Sequence, residues 1–498
     1  MVKILHNSRW NLIALSFTLV AHFVTVPFVI KHIGLREFGH SGLLLAAWAP
    51  LLLIGTVLGQ SAIRVMVDRL ALGDESGAQR ASESALHLCV LFGLAGAALF
   101  VTVGPVLFHS MAHRPSALAE FSMVAVAGIA QQVSIVLQSF ASARQDFRVI
   151  AVLTAGTAVI TVASIFLMLM WKSSAVGYLA GIALGFVGTM LLWWWGMTRL
   201  HGRLRLCSHA RDRHELLRFG GWQSVSQLAG TFANQIDRYA LGMQSNIAVI
   251  GQFNTANRLQ EAAYVCVVKA SEVLFPYFGS SSRQDIRQQA RFYLAASWVV
   301  MTFSATVLVP LVPLADPILR LWVGEEVANG GAVLLCTLVI GGLIGCGSNV
   351  YTYFAMGTGR NAPLAWISLF YSLLTIILTI VAISCLGPYA AGLGIAIASV
   401  ARVFVSLIVL RRDSFKFVAI SQLIASTVLP LFVGLLTAGL WWAFSSLQAS
   451  NWISLILTYA LISASTFTAI ILVSLLSRFG RDLLQQAIIH RQNIKDIK

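Results

Sequence analysis

The run WNLIALSFTLVAHFVTVPFVI occupies residues 10–30 and contains no Asp, Glu, Lys or Arg. A helix rises about 1.5 Å per residue, so a run of this length crosses the roughly 30 Å of hydrocarbon in a bilayer. The run is too long for the apolar part of a signal peptide, and no A-x-A-like cleavage site follows it. We therefore expect a retained first membrane span.

The composition extends this prediction to the whole chain. Of the 498 residues, 58% are hydrophobic and 11% are charged, whereas a soluble domain is about 25% charged. A water-soluble fold is thereby excluded, and we predict an all-α polytopic membrane protein with about 14 transmembrane helices. The predicted spans lie at about 10–30, 42–63, 85–108, 118–140, 149–171, 175–198, 222–243, 250–277, 292–315, 331–356, 362–386, 389–410, 419–444 and 451–476.

The basic residues predict the orientation of these spans. The chain has 34 Lys and Arg against 19 Asp and Glu, a net charge of +15. With the N-terminus in the cytoplasm, the inner loops and tail hold 25 basic residues and the outer loops hold five. Such a bias is typical of cytoplasmic loops, so the excess does not require nucleic acid as a partner. We predict a multi-pass protein of the cell inner membrane with both termini in the cytoplasm.

An internal repeat at an offset of 212 residues predicts the domain organisation. Trp10 maps onto Trp222, Gly39 onto Gly251 and Arg199 onto Arg411. The offset carries spans one to six onto spans seven to twelve, and six is even, so the repeat is parallel. The predicted parts are an N-terminal six-helix lobe (1–198), a basic cytoplasmic linker (199–221), a C-terminal six-helix lobe (222–410), two extra transmembrane helices (411–476) and a cytoplasmic tail (477–498) with an amphipathic helix around 483–488.

Several kinds of chemistry lack their sequence signature. The six cysteines form no C-x-x-C pair and lie near no His cluster, so neither disulfides nor a metal site is indicated. No Lys follows a Gly, which removes the phosphate-binding loop of an ATPase. We expect no catalytic residue, no cofactor and no metal, and hence a transporter rather than an enzyme.

Polar residues inside spans seven and eight are the main candidates for a binding site. An ionisable side chain costs about 2.5–3.5 kcal/mol at the centre of a membrane helix, so it normally faces a cavity or a partner. Asn234, Asp237 and Arg238 share one face of span seven because they are three and four residues apart. A second stripe within about 120° on span eight consists of Asn254, Asn257, Arg258, Glu261, Lys269 and Glu272.

Two interpretations of these residues stay open. In the first interpretation, structural ion pairs join Asp237 to Arg238 and Glu261 to Arg258. In the second, the whole stripe lines a hydrated cavity. Milder candidates in the first lobe are Gln60, Gln131 and His22, the last of which aligns with Asn234. Arg64, Lys269 and Arg402, expected near cytoplasmic helix ends, are either positive-inside anchors or an entrance for an anionic headgroup.

Short motifs at corresponding places in the two predicted lobes are similar to a known family. They lie at Ser8–Asn11, Pro27–Ile30, Ile33–Gly39, Phe219–Trp222, Ile236–Tyr239 and Val249–Phe253. On these motifs the chain resembles the Wzx-like flippases, the polysaccharide-transporter branch of the multidrug/oligosaccharidyl-lipid/polysaccharide exporter superfamily. The resemblance covers nearly the whole chain by its pattern of spans.

The resemblance implies two six-helix lobes that alternate between cytoplasmic and periplasmic openings of a central cavity. The implied cargo is an undecaprenyl-pyrophosphate-linked oligosaccharide, and the implied partners are membrane lipids, a polysaccharide polymerase and a chain-length regulator. Coupling to a proton or a sodium gradient stays open.

Two alternative functions are weighed against the flippase. A cation-coupled multidrug antiporter of the same fold is disfavoured, because we expect no acidic residue inside spans one to six, where such antiporters typically place a carboxylate. A membrane polysaccharide polymerase or ligase is disfavoured because no large outer loop is predicted.

Overall fold

A computed structural model describes residues 2–112, 118–202, 204–207, 209–244, 247–281, 286–444 and 451–476. Within these ranges, side chains are described from residue 16 onward, except at positions 107, 109–112, 147, 211, 219–223, 225, 226, 275, 276, 280, 281 and 361. The predicted tail 477–498 and its amphipathic helix lie outside the described residues.

The described residues form α-helices joined by short turns and contain no β-strand, which confirms the predicted all-α class. The helices are α1 (Val2–Ala71), α2 (Glu75–Ala112), α3 (Leu118–Ala143), α4 (Phe147–Trp171), α5 (Ala175–His201), α6 (Ala210–Met243), α7 (Ile247–Ser271), α8 (Leu274–Ser281), α9 (Ile286–Leu308), α10 (Ala315–Trp322), α11 (Glu325–Cys346), α12 (Asn349–Gly357), α13 (Asn361–Leu386), α14 (Leu393–Asp413), α15 (Ile420–Phe444) and α16 (Trp452–Leu476).

Predicted spans one and two belong to the single long helix α1. Its backbone leaves the helical region at Gly34, where φ is +80°. Glycine adopts a positive φ without the steric cost that other residues meet, so the chain bends there and continues as helix. The sequence predicts a break of about ten residues between spans one and two. In the structure, Gly34 is the residue at which the helical conformation is interrupted.

Eleven segments among the described residues are long and apolar enough to cross a membrane. The first of them, Ser16–Ala71, contains residues 16–30 of predicted span one and all of predicted span two. Helices α6 and α7, at the places of predicted spans seven and eight, have 34 and 25 residues and are not among these eleven segments. The total of fourteen spans stays a prediction.

Residue contacts divide the chain into two compact units, Met1–Asn254 and Thr255–Lys498. The first unit contains α1 to α6 and the beginning of α7. Its core is built from α1, α2, α3 and α5, with fully buried side chains such as Leu86, Leu137 and Met197. The lobe boundaries predicted from the repeat stay a prediction.

The predicted linker is partly helical and is bound to the rest of the first unit. Arg69, near the end of α1, donates to Asp212 at 2.7 Å and to Glu215 at 2.9 Å. Both carboxylates belong to the first turns of α6, and Asp212 is 4% exposed. The connection between α5 and α6 is therefore fixed by an ion pair rather than free in solvent.

A side-chain cap sets the start of α2. Asp74 accepts hydrogen bonds from the backbone N–H of Gly77 at 2.7 Å and from the Ser76 hydroxyl at 2.8 Å. These bonds favour the ionised carboxylate and hold the pKa of Asp74 below its usual value. The cap satisfies an N–H group that the first turn of a helix leaves unpaired.

The second unit is organised around an aromatic cluster. Phe278, Tyr293, Phe354 and Phe415 pack edge to face or tilted, with ring centroids 5.3–6.4 Å apart. Such offset arrangements are the favoured ones for aromatic rings. The cluster joins α8, α9, α12 and the turn between α14 and α15.

Large apolar side chains also cover the outer surfaces of both units. Met170, Trp171, Trp366 and Leu386 are each at least 70% exposed. In water such a surface would be unfavourable, but in a bilayer it faces lipid tails. The distribution of apolar residues thus agrees with a membrane protein.

Candidate functional site

The centre of the candidate site in the first unit is the guanidinium of Arg238 on α6. Its Nε donates to the side-chain oxygen of Asn254 at 2.6 Å, and its Nη1 donates to the side-chain oxygen of Gln235 at 2.8 Å. The guanidinium also lies 5.4 Å from the ring centroid of Phe253. These contacts with two amide oxygens and an aromatic ring orient the guanidinium of Arg238.

Contacts with α1 hold this group in place. Asn254 is 5% exposed, and a Cβ atom at Gly42 would lie 2.0 Å from its Nδ2 atom. The glycine therefore leaves the space that the amide occupies. On α6, the Tyr239 hydroxyl donates to the backbone carbonyl of Ala46 at 2.7 Å. Next to Arg238, the predicted site residue Asp237 is buried, with 1% of its surface exposed.

A second amide contact links α6 with α1. The side-chain nitrogen of Gln227 donates to the side-chain oxygen of Gln60 at 2.8 Å. Gln60 was predicted as a site residue and Gln227 was not. The missed signal is helical spacing, because Gln227 precedes Asn234 by seven residues and Arg238 by eleven, which places all three on one face.

Among the other candidates in this unit, Asn234 accepts a hydrogen bond from Nη1 of Arg238 through its backbone carbonyl at 3.4 Å. His22 is exposed on the first part of α1, and Arg64 is exposed near its end. Gln131 is half-buried on α3, and the Asn234 side chain is exposed. The structure thus brings Arg238, Asn254 and Gln235 together. The proposed roles of His22, Arg64 and Gln131 stay predictions.

The expectation that spans one to six carry no acidic residue is wrong. Glu120 is the third residue of α3 and is 1% exposed, and its Oε2 lies 3.1 Å from Nε2 of the fully buried His40. The two residues are 80 positions apart in sequence and belong to α1 and α3. Inspection of one predicted span at a time therefore could not show this contact, which lowers the free-energy cost of burying the carboxylate.

The second unit contains the remaining residues of the predicted stripe. Asn257 donates to Glu261 at 2.7 Å, so the carboxylate is bound by an amide. The predicted pair of Glu261 with Arg258 is not formed, and Arg258 is half-buried with no hydrogen bond or ion pair found among the described residues. Its interpretation as a structural ion pair is therefore wrong.

Two of the predicted entrance residues have defined partners. Lys269 pairs with Glu272 at 2.8 Å, with both side chains partly exposed. The guanidinium of Arg402 lies 5.0 Å from the ring centroid of Tyr371. Arg402 is the tenth of the 21 residues of α14, about 16 Å from its end by helical rise. Its expected position near a helix end is thus wrong, while its role stays a prediction.

Comparison with known sequences decides the family. Residues 4–282, more than half of the chain, match the profile of the family described as polysaccharide biosynthesis protein. The chain belongs to this family. No curated protein sequence matches this family member.

Solved structures share the fold of this polysaccharide biosynthesis family member. The lipid II flippase MurJ, in an inward closed conformation, superposes with a TM-score of 0.74 at 15% identity, covering 96% of this chain and all of MurJ. An inward-facing multidrug resistance transporter of the MATE family and the MOP superfamily gives a TM-score of 0.69 at 15% identity over 82% of this chain and 94% of its own. For a MOP superfamily transporter from Pyrococcus furiosus the TM-score is 0.63, at 14% identity over 84% and 96% of the two chains.

At these identities the likeness shows the fold alone. The predicted resemblance to the exporter superfamily is confirmed by the family and the fold together. Assignment to the Wzx-like branch stays a prediction.

Proposed function

We propose that this protein moves an undecaprenyl-pyrophosphate-linked oligosaccharide from the inner to the outer leaflet of the cell inner membrane. The family supports a role in polysaccharide biosynthesis, and the fold is one found in a lipid II flippase. The observation that carries the proposal is Arg238, a half-buried guanidinium held by the amides of Asn254 and Gln235.

The chemistry of this cluster suits a diphosphate joined to sugars. A guanidinium offers planar N–H donors that match phosphate oxygens. Side-chain amides both donate and accept, as sugar hydroxyls do. The lipid tail needs no polar path, because the exposed apolar surface of the helices lies in hydrocarbon. The protein then has only to open a polar route for the headgroup by alternating access, and no covalent bond changes.

The proposal includes the place of the protein in its pathway. The finished repeat unit arrives at the cytoplasmic leaflet, and a polysaccharide polymerase and a chain-length regulator use it on the other side. The final product is an exopolysaccharide or an O-antigen-type polymer. Both termini lie in the cytoplasm in this proposal, as the 25-to-5 distribution of basic residues suggests.

A cation-coupled antiporter is the second candidate, and one observation favours it. The buried pair of Glu120 and His40 is a carboxylate with a titratable partner inside the first unit. Such a pair is able to exchange a proton during a conformational cycle. The flippase proposal includes proton coupling through this pair. The two candidate functions therefore differ in the cargo that the protein transports.

The deciding experiment measures which leaflet holds the repeat unit when the protein is missing. Spheroplasts of a deletion strain are treated with a membrane-impermeant glycosidase, and the lipid-linked repeat unit is extracted and sized. The proposal expects a complete repeat unit protected from cleavage, and restored cleavage with the wild-type gene. A repeat unit that is cut in the deletion strain would assign the protein to polymerisation or ligation. Normal polymer together with lost efflux of small cations would favour the antiporter.

A further inference from the structure

An open cavity lies in the second unit where α14 ends and α15 begins. Its volume is about 430 Å³, and Ile408, Arg411, Arg412, Lys416 and Ile420 line it. Three of these five residues are cations and two are aliphatic. None of them belongs to the polar clusters described above.

The turn that carries the lining residue Lys416 is fixed by buried contacts. Phe415 is fully buried against Tyr293 and Phe354, with ring centroids 5.7 and 5.3 Å away. The backbone N–H of Phe415 donates to the carbonyl of Leu410 at 3.0 Å. Because Phe415 points into the core, Lys416 beside it is held on the outer side of the turn, where it is exposed.

A further arginine, Arg360, precedes α13 and fixes the same turn. Nη1 of Arg360 donates to the backbone carbonyl of Asp413 at 3.1 Å and to the Ser414 hydroxyl. The guanidinium of Arg360 also lies 5.9 Å from the ring centroid of Phe354. The backbone that carries the three cavity cations is therefore ordered before any ligand binds, which lowers the entropic cost of binding.

The cavity has an excess of positive charge. Among the described residues, Asp413 is the acidic group that pairs with a cavity cation, 4.0 Å from Nε of Arg412. No ion pair of Arg411 or Lys416 is found among the described residues. Three cations and one carboxylate leave a charge of about +2, which matches two phosphates.

Apolar side chains continue from the cavity along the outside of the helices. Phe404, Ile408, Phe417 and Ile420 are 39–54% exposed. Cations beside exposed apolar side chains are the arrangement expected at the boundary between lipid headgroups and acyl chains. Positive-inside counting places this turn on the cytoplasmic side, where anionic lipids attract basic clusters.

We propose that this cavity binds a phospholipid of the cytoplasmic leaflet that carries two phosphates, with its acyl chains against Ile408 and Ile420. The tail 477–498 is a poor occupant, because it holds five basic and two acidic residues and so repels the cavity. The site joins the last helix of the predicted C-terminal lobe to the first of the two extra helices. The inference does not depend on the proposed cargo.

Native mass spectrometry of the delipidated full chain tests the site. The probes are cardiolipin with two phosphates, phosphatidylglycerol with one, zwitterionic phosphatidylethanolamine, and undecaprenyl diphosphate. We expect cardiolipin to bind most tightly and phosphatidylethanolamine least. Each basic residue near anionic lipid contributes about fivefold to the binding affinity. Lys416→Gln should therefore weaken cardiolipin binding about fivefold, and R411Q/R412Q/K416Q should weaken it roughly a hundredfold.

A matched variant separates this site from general attraction to a basic protein. R205Q/R213Q/R218Q removes the same charge from three exposed residues of the first unit and should leave cardiolipin binding within about twofold. If the triple cavity variant is unstable, two milder variants test the site instead. The exposed single substitution Lys416→Gln should weaken cardiolipin binding, and the charge-preserving R411K/R412K should retain it.

Three results would overturn the inference. Equal weakening in both triple variants would show a general charge effect. Tighter binding of undecaprenyl diphosphate than of cardiolipin would make the cavity a cargo site. A rise in cardiolipin affinity after removal of residues 477–498 would show that the tail occupies the cavity.

Discussion

Gly39 on α1 and Gly251 on α7 lie in direct backbone contact. A Cβ atom at residue 39 would lie 2.2 Å from the carbonyl oxygen of Ile247 and 2.8 Å from the amide nitrogen of Gly251. A Cβ atom at residue 251 would lie 2.5 Å from the carbonyl oxygen of Leu35. The two glycines are 212 residues apart, which is the offset of the predicted repeat, and each provides the space in which the other helix approaches.

The first prediction follows from this contact. Gly39→Ala and Gly251→Ala should each destabilise the protein by about 1–3 kcal/mol, because the new methyl group meets backbone that cannot rotate away. Thermal unfolding of the purified protein in detergent measures the loss. The control is Gly439→Ala on α15, which meets no atom within 4 Å and should be neutral or slightly stabilising. Unchanged stability of both variants would contradict the close contact.

The second prediction concerns the forked donor of Arg238. Arg238→Lys keeps the charge but cannot donate from Nε and Nη1 to Asn254 and Gln235 together, so it should reduce export by about ten- to hundredfold. Polymer is quantified at equal membrane abundance. Tyr239→Phe removes a neighbouring hydrogen bond to Ala46 and should affect stability more than export. Full export from Arg238→Lys would remove the guanidinium from the proposed route.

The third prediction separates cargo binding from structure at Arg258. This side chain is half-buried and has no ion pair among the described residues. Arg258→Ala should therefore abolish export without lowering membrane abundance, whereas Glu261→Gln should have a mild effect because Asn257 can still bind an amide oxygen. Loss of the Arg258→Ala protein from the membrane would instead indicate a structural role.

The fourth prediction tests coupling at the buried pair of His40 and Glu120. Glu120→Gln keeps the shape of the side chain and removes its ability to carry a proton. In proteoliposomes with an imposed pH gradient, this variant should lose gradient-driven acceleration of headgroup transfer and keep the rate measured without a gradient. Asp316→Asn on the exposed turn of α10 is the control. Full acceleration in Glu120→Gln would show that protons bind elsewhere or do not drive transport.

The fifth prediction concerns topology. Reporter fusions after Gly202 and Gly359 should report a cytoplasmic position, and fusions after Ser173 and Gly387 an outer position. The reason is that Lys and Arg are concentrated in the loops predicted to be cytoplasmic. The later loops keep this bias only if both α6 and α7 cross the membrane. A periplasmic signal at Gly359 would show that only one of α6 and α7 crosses the membrane.

The sequence alone determines the class of the protein. Apolar runs of about 20 residues predict helices, because in hydrocarbon every backbone polar group must be satisfied within its own segment. The same local rule explains why predicted spans four, five and six coincide with α3, α4 and α5. It does not give every boundary, because spans one and two are joined across Gly34 and spans eight, nine and ten each extend over more than one helix. Helical spacing also predicts that Asn234, Asp237 and Arg238 share a face.

Tertiary structure decides which polar residues meet. Glu120 finds His40 across 80 residues, Gln227 finds Gln60 across 167, and Arg258 does not pair with Glu261 three residues away. These outcomes depend on how the helices pack. Close packing requires glycines such as Gly39 and Gly251, and a hydropathy pattern does not show which glycines lie at a helix contact. Local sequence fixes the face on which a residue lies, whereas the partner on that face depends on which other helix packs there.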